Sequence, residues 1–323
     1  MAYGLLTKTI RDAKYNAGPV PVSRSGAFLP ASVVNAAQGL YRGVSIFDSV
    51  VAFPLDAVRT PGQIAPMNSV SQPDGIPAAT VVVFRHGRGG SAPEFLMLVR
   101  SRTMTFAGGA AVFPGGRVDE ADRTLAATLD CDDHDEAAHR IAAVRETLEE
   151  SGLAIGMTGV IDADRAAQAR NLLLEHGALA PVLAAMDWQL DLDALLPFAR
   201  WHPINERIPR VFDTRFYLAD LGTGAVDVTV DETENTRLFW TTAEQALARA
   251  DAGDLTVIFP TRRNLERLAR FADFAAAARE CAAIPVRKIV PFFEHRNGTP
   301  WICIPDGAGY PVTGEPIDQA MRA

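Results

Sequence analysis

Cysteine is scarce in this sequence: three occur among 323 residues, and no two of them are spaced as a Cys-x-x-Cys pair. An odd count without such a pair argues against a disulfide framework and a zinc site, and it is typical of a reducing compartment. Long apolar runs are also lacking. The nearest approach, residues 44–58, is interrupted by Asp48 and Asp56 and falls short of the roughly 18 residues that a membrane-spanning helix needs. We therefore expect a cytoplasmic protein without a membrane segment.

Positive charge is in deficit as well, since 39 acidic residues face 31 lysines and arginines and the formal net charge is −8. This balance argues against binding to nucleic acids or to anionic membranes, because both require a basic surface. A small phosphorylated substrate held by a few arginines and a metal remains compatible with it. Hydrophobic residues make up 48% of the chain, which is ordinary for a globular protein.

Residues 1–66 differ from the remainder, with six basic and three acidic residues. They resemble a transit peptide only in being poor in acidic residues. The other interpretations are a variable extension, or a translation start assigned too early, with Met67 as the true start. We divide the chain into an N-terminal extension and linker over residues 1–75, a central domain over residues 76–265, and a C-terminal helix and tail over residues 266–323, packed on that domain.

The hydrophobic pattern of the central domain predicts both strands and helices. Strands are expected at residues 79–84, 95–100, 212–218, 226–230 and 237–240, with short ones at 288–290 and 301–304. Helices are expected at residues 133–151, within the Ala/Leu-rich residues 161–200, after the capping-box pattern that begins at Thr242, and at residues 261–283.

The helix at residues 133–151 separates apolar and acidic side chains. At 100° per residue, one stripe collects four apolar residues: Ala137, Ile141, Val144 and Leu148. Glu146, Glu149 and Glu150 fall on the opposite face. Three glutamates alone are more typical of a solvated acidic surface. Oxygen ligands at this spacing also suit Mg²⁺ or Mn²⁺, so the residues before the helix decide between the two interpretations.

Those residues form FPGGRVDEAD at 113–122, and the helix ends in RETLEESGL at 145–153. Together they resemble the Nudix box, G-x5-E-x7-R-E-U-x-E-E-x-G-U, with Gly116 as the box glycine. The sequence departs from the pattern at three points. Asp122 replaces a glutamate, Thr147 stands where an aliphatic residue is usual, and 22 residues rather than seven separate Asp122 from Arg145. The long spacer leaves open whether Asp122 still supports the helix.

Two further segments, residues 98–122 and 200–219, are similar to one Nudix branch, the coenzyme A and acyl-coenzyme A diphosphatases. The resemblance covers about residues 76–315. It implies an α+β fold, the Nudix α/β/α sandwich with a mixed β-sheet, and a helical insertion at about 155–207 that covers the active site.

The resemblance also implies a metal-dependent diphosphohydrolase. Glu146, Glu149 and Glu150 would hold Mg²⁺ or Mn²⁺, with the Gly115 carbonyl as a further ligand. The preferred substrate is coenzyme A or an acyl-coenzyme A, giving 3′,5′-ADP and an (acyl-)phosphopantetheine. The alternatives are another nucleoside diphosphate derivative, such as ADP-ribose or NADH, and a binding or regulatory module without catalysis. Such modules usually lose box carboxylates, whereas all three are present here.

Other residues are assigned from their charge and position. Arg100, Arg102 and Arg117 flank the glycine segments and are expected to grip substrate phosphates beside Gly116. Arg145 is expected to pair with a box carboxylate and to fix the helix. The general base is open between Glu146, Glu232 and Glu234, and the sequence predicts no particular oligomeric state.

Overall fold

The structure is a computed structural model that describes residues 75–87, 90–101, 107–203, 211–222 and 235–320, with the backbone alone at 235 and 236. Several sequence predictions concern residues outside these ranges. They are the extension at 1–66, the strand at 226–230, and three candidate site residues: Arg102, Glu232 and Glu234. Among the described helices, none is long and apolar enough to cross a membrane.

An eight-stranded mixed sheet forms the centre of the described chain. Its strands are β1 Ile76–Arg85, β2 Glu94–Arg100, β3 Ala111–Val112, β4 Gly115–Arg117, β7 Leu196–Trp201, β8 Phe212–Asp220, β9 Asn235–Thr242 and β10 Lys288–Ile289. The strand order is β10-β7-β8-β1-β2-β3, with β4 paired to β1 and β9 paired to β2. Strand β1 runs parallel to β8 and antiparallel to β2 and β4.

Two smaller sheets lie outside this one. A two-stranded sheet joins β5 Met157–Thr158 to β6 Gln189–Leu190, and a three-stranded sheet joins β11 Phe292–Arg296, β12 Thr299–Cys303 and β13 Gly314–Pro316. The helices are α1 Glu120–Ala126, α2 His134–Ser151, α3 Ala163–His176, α4 Leu179–Met186, α5 Ala243–Asp251, α6 Phe259–Leu268, α7 Phe274–Ala283 and α8 Ile317–Ala320.

The central sheet is covered on both faces. Strand β1 shows this most clearly, because Val81 and Val83 pack in one apolar cluster while Val82 and Phe84 pack in the other. The first cluster includes residues of α2, α3 and α4, and the second includes residues of α5, α6 and α7. Alternation of side chains along a strand buried on both sides produces this arrangement. The predicted α+β sandwich with a mixed sheet and a helical insertion is therefore confirmed.

The inserted segment is less helical than expected. Helix α3 ends at His176 and helix α4 at Met186. The residues that follow form β6 of the two-stranded sheet and then β7 of the central sheet. Pro197 cannot continue a helix, and β7 pairs antiparallel with β8, which buries Trp201. The prediction of a helical stretch to residue 200, within an insertion extending to 207, was wrong at its C-terminal end. Long-range strand pairing overrode the local Ala/Leu composition there.

The helix predicted at residues 261–283 is two helices, α6 and α7. Asp273 is the N-cap of α7, since its side chain accepts a hydrogen bond from the Ala276 amide at 2.7 Å. Phe271, between the helices, is buried in the second cluster. The cap and this buried ring together end one helix and begin the next.

Candidate active site

Helix α2 positions the three glutamates, and its two ends are fixed by local sequence. Asp133 caps the N-terminus by accepting from the Glu136 amide at 2.9 Å, and Gly152 ends the helix in a left-handed conformation with φ of 76°. The four residues of the predicted stripe are at most 5% exposed. Thr147 is buried too, and its hydroxyl donates to the Ala143 carbonyl at 2.8 Å, so a polar residue is satisfied where an aliphatic one is usual.

A glycine-rich strand, β4, packs directly against the acidic face of α2. A Cβ on Gly116 would lie 2.2 Å from Oε1 of Glu146, and one on Gly115 would lie 2.3 Å from the Ala79 carbonyl oxygen. A side chain at Gly115 would collide with the backbone of β1, so this position requires glycine, whereas a side chain at Gly116 would displace the carboxylate of Glu146. The Gly115 amide donates to Oε2 of Glu150 at 2.9 Å. The acidic face is therefore partly covered, and Glu150 is only 4% exposed.

Arg145 links the parts of this site. Its guanidinium donates to both oxygens of Asp122, to Oε1 of Glu146 at 3.0 Å and to the Arg117 carbonyl at 2.9 Å. An oxygen of Glu149 lies 3.6 Å away. The structure thus pairs Arg145 with box carboxylates, as the sequence predicted, although its functional role stays a prediction. Asp122 also reaches Arg145 across the long spacer, half of which forms the end of α1 and the loop before α2 and half the first turns of α2.

The electrostatic environment of Glu146 is unusual for a carboxylate. Burial and the charge of Glu149 raise its pKa and Arg145 lowers it, so that the pKa stands at about 7. Burial acts to lower the pKa of Arg145, but its hydrogen bond to Asp122 and the charge of Glu146 raise it overall. The site therefore holds more negative charge than its arginine neutralises, and it favours an additional cation.

The residues of this site suit a hard divalent cation. Carboxylate oxygens are the donors that Mg²⁺ and Mn²⁺ prefer. Within the described ranges, no three His, Cys, Asp or Glu side chains converge as a complete ligand set. Arg145 and the Gly115 amide engage oxygens of Glu146 and Glu150. An incomplete protein shell suits Mg²⁺, because this ion usually completes its coordination with water and substrate phosphates.

The other predicted site residues are placed as follows. Arg117 is exposed beside Gly116. Arg100 is the last residue of β2 and is partly buried, at an irregularity in the pairing of β2 with β9. Asp119 was not singled out from the sequence. It is the N-cap of α1 in a capping box with Asp122, and its carboxylate lies 3.6 Å from Arg145. The Asp-x-x-Asp spacing in VDEAD was the signal available for it.

Comparison with known proteins indicates which class of protein this chain resembles. No family model matches the sequence, and no curated protein matches it. Among solved structures, the chain is similar to a NUDIX hydrolase from Alicyclobacillus acidocaldarius, with 29% identity and a TM-score of 0.54, over 64% of this chain and 96% of that chain.

Two other structures share less with it. An Ap4A hydrolase from C. elegans, in a binary complex, has 18% identity and a TM-score of 0.31 over 64% of this chain and 96% of that chain. The NUDIX domain of Shewanella oneidensis NrtR, complexed with ADP ribose, has 11% identity and a TM-score of 0.36 over 61% and 87%. Both TM-scores are below 0.5, so the class of this chain is inferred from the Alicyclobacillus acidocaldarius structure. Its fold and sequence similarity place the chain in the Nudix hydrolase superfamily, as a Nudix diphosphohydrolase.

Proposed function

We propose that this enzyme hydrolyses the diphosphate linkage of a nucleotide-type substrate, with coenzyme A or an acyl-coenzyme A as the preferred one. The observation that carries the reaction type is the set of three carboxylates on α2, with Glu146 held by Arg145 and Glu150 by the Gly115 amide, beside a strand in which Gly115 leaves no room for a side chain. This arrangement offers hard oxygen donors beside a backbone that a phosphate can approach closely.

Each residue has a distinct part in this proposal. Glu146, Glu149 and Glu150 would hold Mg²⁺ or Mn²⁺, with the Gly115 carbonyl as a further donor. The bound metal would neutralise charge on the diphosphate and lower the pKa of a water molecule. Arg145 keeps the carboxylates in place through its bonds to Asp122 and Glu146.

Two described arginines can contact the substrate phosphates. Arg117 presents an exposed cation next to the box glycine. The Nε atom of Arg100 is buried and makes no hydrogen bond within the described part of the chain. A buried donor of this kind favours an external acceptor such as a phosphate oxygen. Arg102, adjacent in sequence, is the third candidate.

The choice of coenzyme A is supported by sequence resemblance at residues 98–122 and 200–219. Such a substrate carries a 3′-phosphate, whose negative charge an arginine or lysine side chain would bind. One charge-assisted contact contributes about 1.5–3 kcal/mol, or roughly 10- to 150-fold in kcat/KM. We therefore expect the enzyme to prefer coenzyme A clearly over 3′-dephospho-coenzyme A.

The test is a panel of coenzyme A, acetyl-coenzyme A, 3′-dephospho-coenzyme A, ADP-ribose and NADH, assayed with Mg²⁺ and with Mn²⁺, with products identified by mass. Coenzyme A should give 3′,5′-ADP and phosphopantetheine. Arg100→Ala or Arg102→Ala should shrink the preference over the dephospho compound. Arg279→Ala, which removes an exposed arginine on α7, is the matched control and should leave it unchanged.

The outcomes separate the hypotheses. Equal rates on the two coenzyme A compounds, with faster cleavage of ADP-ribose or NADH, would refute the coenzyme A assignment and leave the diphosphohydrolase standing. Binding without hydrolysis of every compound, with either metal, would instead favour a module that binds ligands without catalysis.

A further inference from the structure

The carbonyl end of helix α2 carries an unfavourable charge. Its last turn contains Glu149 and Glu150 and no basic residue, whereas the last turns of α3, α5 and α6 contain His176, Arg249 and Arg267. The carbonyl end of a helix is the negative end of its dipole, so carboxylates there are disfavoured and cations are favoured. Within α2, Arg145 lies 3.6 Å from Glu149, and a further cation from another element would also be favourable at this turn.

Arg170 of α3 supplies it. Helix α3 buries Ala166, Ala169 and Leu173, and Arg170 lies next to that stripe, where its Nε donates to the carbonyl oxygen of Glu149 at 2.8 Å. Terminal carbonyls of a helix lack partners within the helix, so this bond satisfies one of them. Arg170 also packs against the residue that ends α2, since its Cδ lies 3.8 Å from the position that a Cβ on Gly152 would occupy.

We propose that Arg170 is a positioning residue for the metal-binding turn, by which the inserted helix α3 fixes the backbone that carries Glu149. The inference rests on the proposed function. Of the three carboxylates, Glu149 has the most exposed side chain, at 37%, with an oxygen 3.6 Å from Arg145, whereas Arg145 donates to Glu146 at 3.0 Å and the Gly115 amide donates to Glu150 at 2.9 Å. Anchoring of the backbone therefore matters most for Glu149. The insertion thereby contributes to the active site without touching the substrate.

Arg165 on the same helix provides a matched control. It also donates to backbone carbonyls, those of Val160 and Met186, and its guanidinium lies over the Trp188 ring. All of these partners belong to the inserted segment, and none to α2. Loss of Arg165 should therefore loosen the insertion without reaching the box helix.

The experiment is Mn²⁺ titration of the full-length protein without substrate, followed by electron paramagnetic resonance, together with kcat and KM for the best diphosphate substrate. Arg170→Ala should weaken Mn²⁺ binding by about 10-fold or more, as expected when support of a metal ligand is lost. Arg165→Ala should bind Mn²⁺ as the wild type does, even if both variants melt at lower temperature. Arg170→Lys should recover part of the affinity, because its ammonium keeps the charge and a donor.

Wild-type Mn²⁺ affinity in Arg170→Ala, or equal weakening in Arg165→Ala, would overturn the proposal. If Arg170→Ala is insoluble, Arg170→Gln takes its place with the same expectation, since glutamine removes the charge and suits a helix. Glu149→Gln shows how much Mn²⁺ affinity is lost when the proposed ligand itself is changed. If that variant loses Mn²⁺ while Arg170→Ala does not, only the role of Arg170 fails. If the wild type itself binds no Mn²⁺, the metal assignment of the proposed function fails instead.

Discussion

Each side of the central sheet contains a buried arginine among carboxylates, and the two are satisfied to different degrees. Arg145, 4% exposed, donates to Asp122, Glu146 and the Arg117 carbonyl. Arg263 of α6, 1% exposed, donates through Nη2 to Glu266 and Glu315, but its Nε and Nη1 make no hydrogen bond among the described residues.

The difference extends to the proton equilibria. Hydrogen bonds and charges outweigh burial at Arg145 and raise its pKa, whereas burial dominates at Arg263 and lowers its pKa. A buried charge stabilises a fold only when its hydrogen-bonding groups are matched. We infer that the Arg145 network holds a fixed geometry, as a site needs, and that the Arg263 cluster contributes far less to stability.

The largest effect is expected from Arg145→Met. It leaves Asp122, 1% exposed, as a buried carboxylate without its cation, which should cost about 3–5 kcal/mol of unfolding free energy. Urea denaturation measures this loss. Arg263→Met is the matched control and should cost no more than about 2 kcal/mol, with kcat per folded molecule near that of the wild type. Equal destabilisation by the two variants would contradict the comparison.

The second-largest effect is expected on turnover, with no change in stability. Glu150→Gln keeps the size of the side chain and an acceptor for the Gly115 amide, but removes a charge that the proposed metal site would need. Turnover at saturating Mg²⁺ should fall at least ~100-fold, which corresponds to about 2.7 kcal/mol of barrier, while the melting temperature stays near that of the wild type. Near-normal turnover would rule out the metal assignment of Glu150. Glu266→Gln, on the other side of the sheet, should leave kcat unchanged.

The smallest effect is a pH dependence of stability in the Arg263 cluster. Burial raises the pKa of Glu266 to about 7, against the opposing charges of Arg263 and Arg262. The folded state then holds this proton more tightly than the unfolded chain does, whose value is the ordinary 4.5. The resulting stabilisation is present below about pH 4.5 and is lost as the pH rises towards 7.

Glu266→Gln removes this titration. Between pH 5 and pH 7, the unfolding free energy of the wild type should therefore fall relative to that of the variant, by about 1 kcal/mol per pH unit. Urea denaturation at pH 5, 6 and 7 measures the difference. A constant difference between the two proteins across this range would show that Glu266 does not titrate as described.

Local patterns in the sequence predicted the box helix well. The apolar stripe was found where the spacing placed it, and the Asp133 cap and the Gly152 terminus likewise depend only on residues at the ends of the same helix. The capping box at Thr242, which opens α5, was predicted for the same reason. Spacings of three and four residues determine which side chains meet on a helix, so a single sequence carries this information.

The sequence by itself indicated the class of chemistry, because the three glutamates, the box glycine and Arg145 resemble the Nudix box in type and order along the chain. Only the tertiary structure decided how the site is held together. Asp122 meets Arg145 although 22 residues separate them, and Arg170 meets Glu149 only because α3 packs against α2. Strand β7 likewise exists because β8 offers hydrogen-bonding partners to residues at the end of an Ala/Leu-rich segment. Such contacts depend on which distant elements pack together, and no local propensity encodes them.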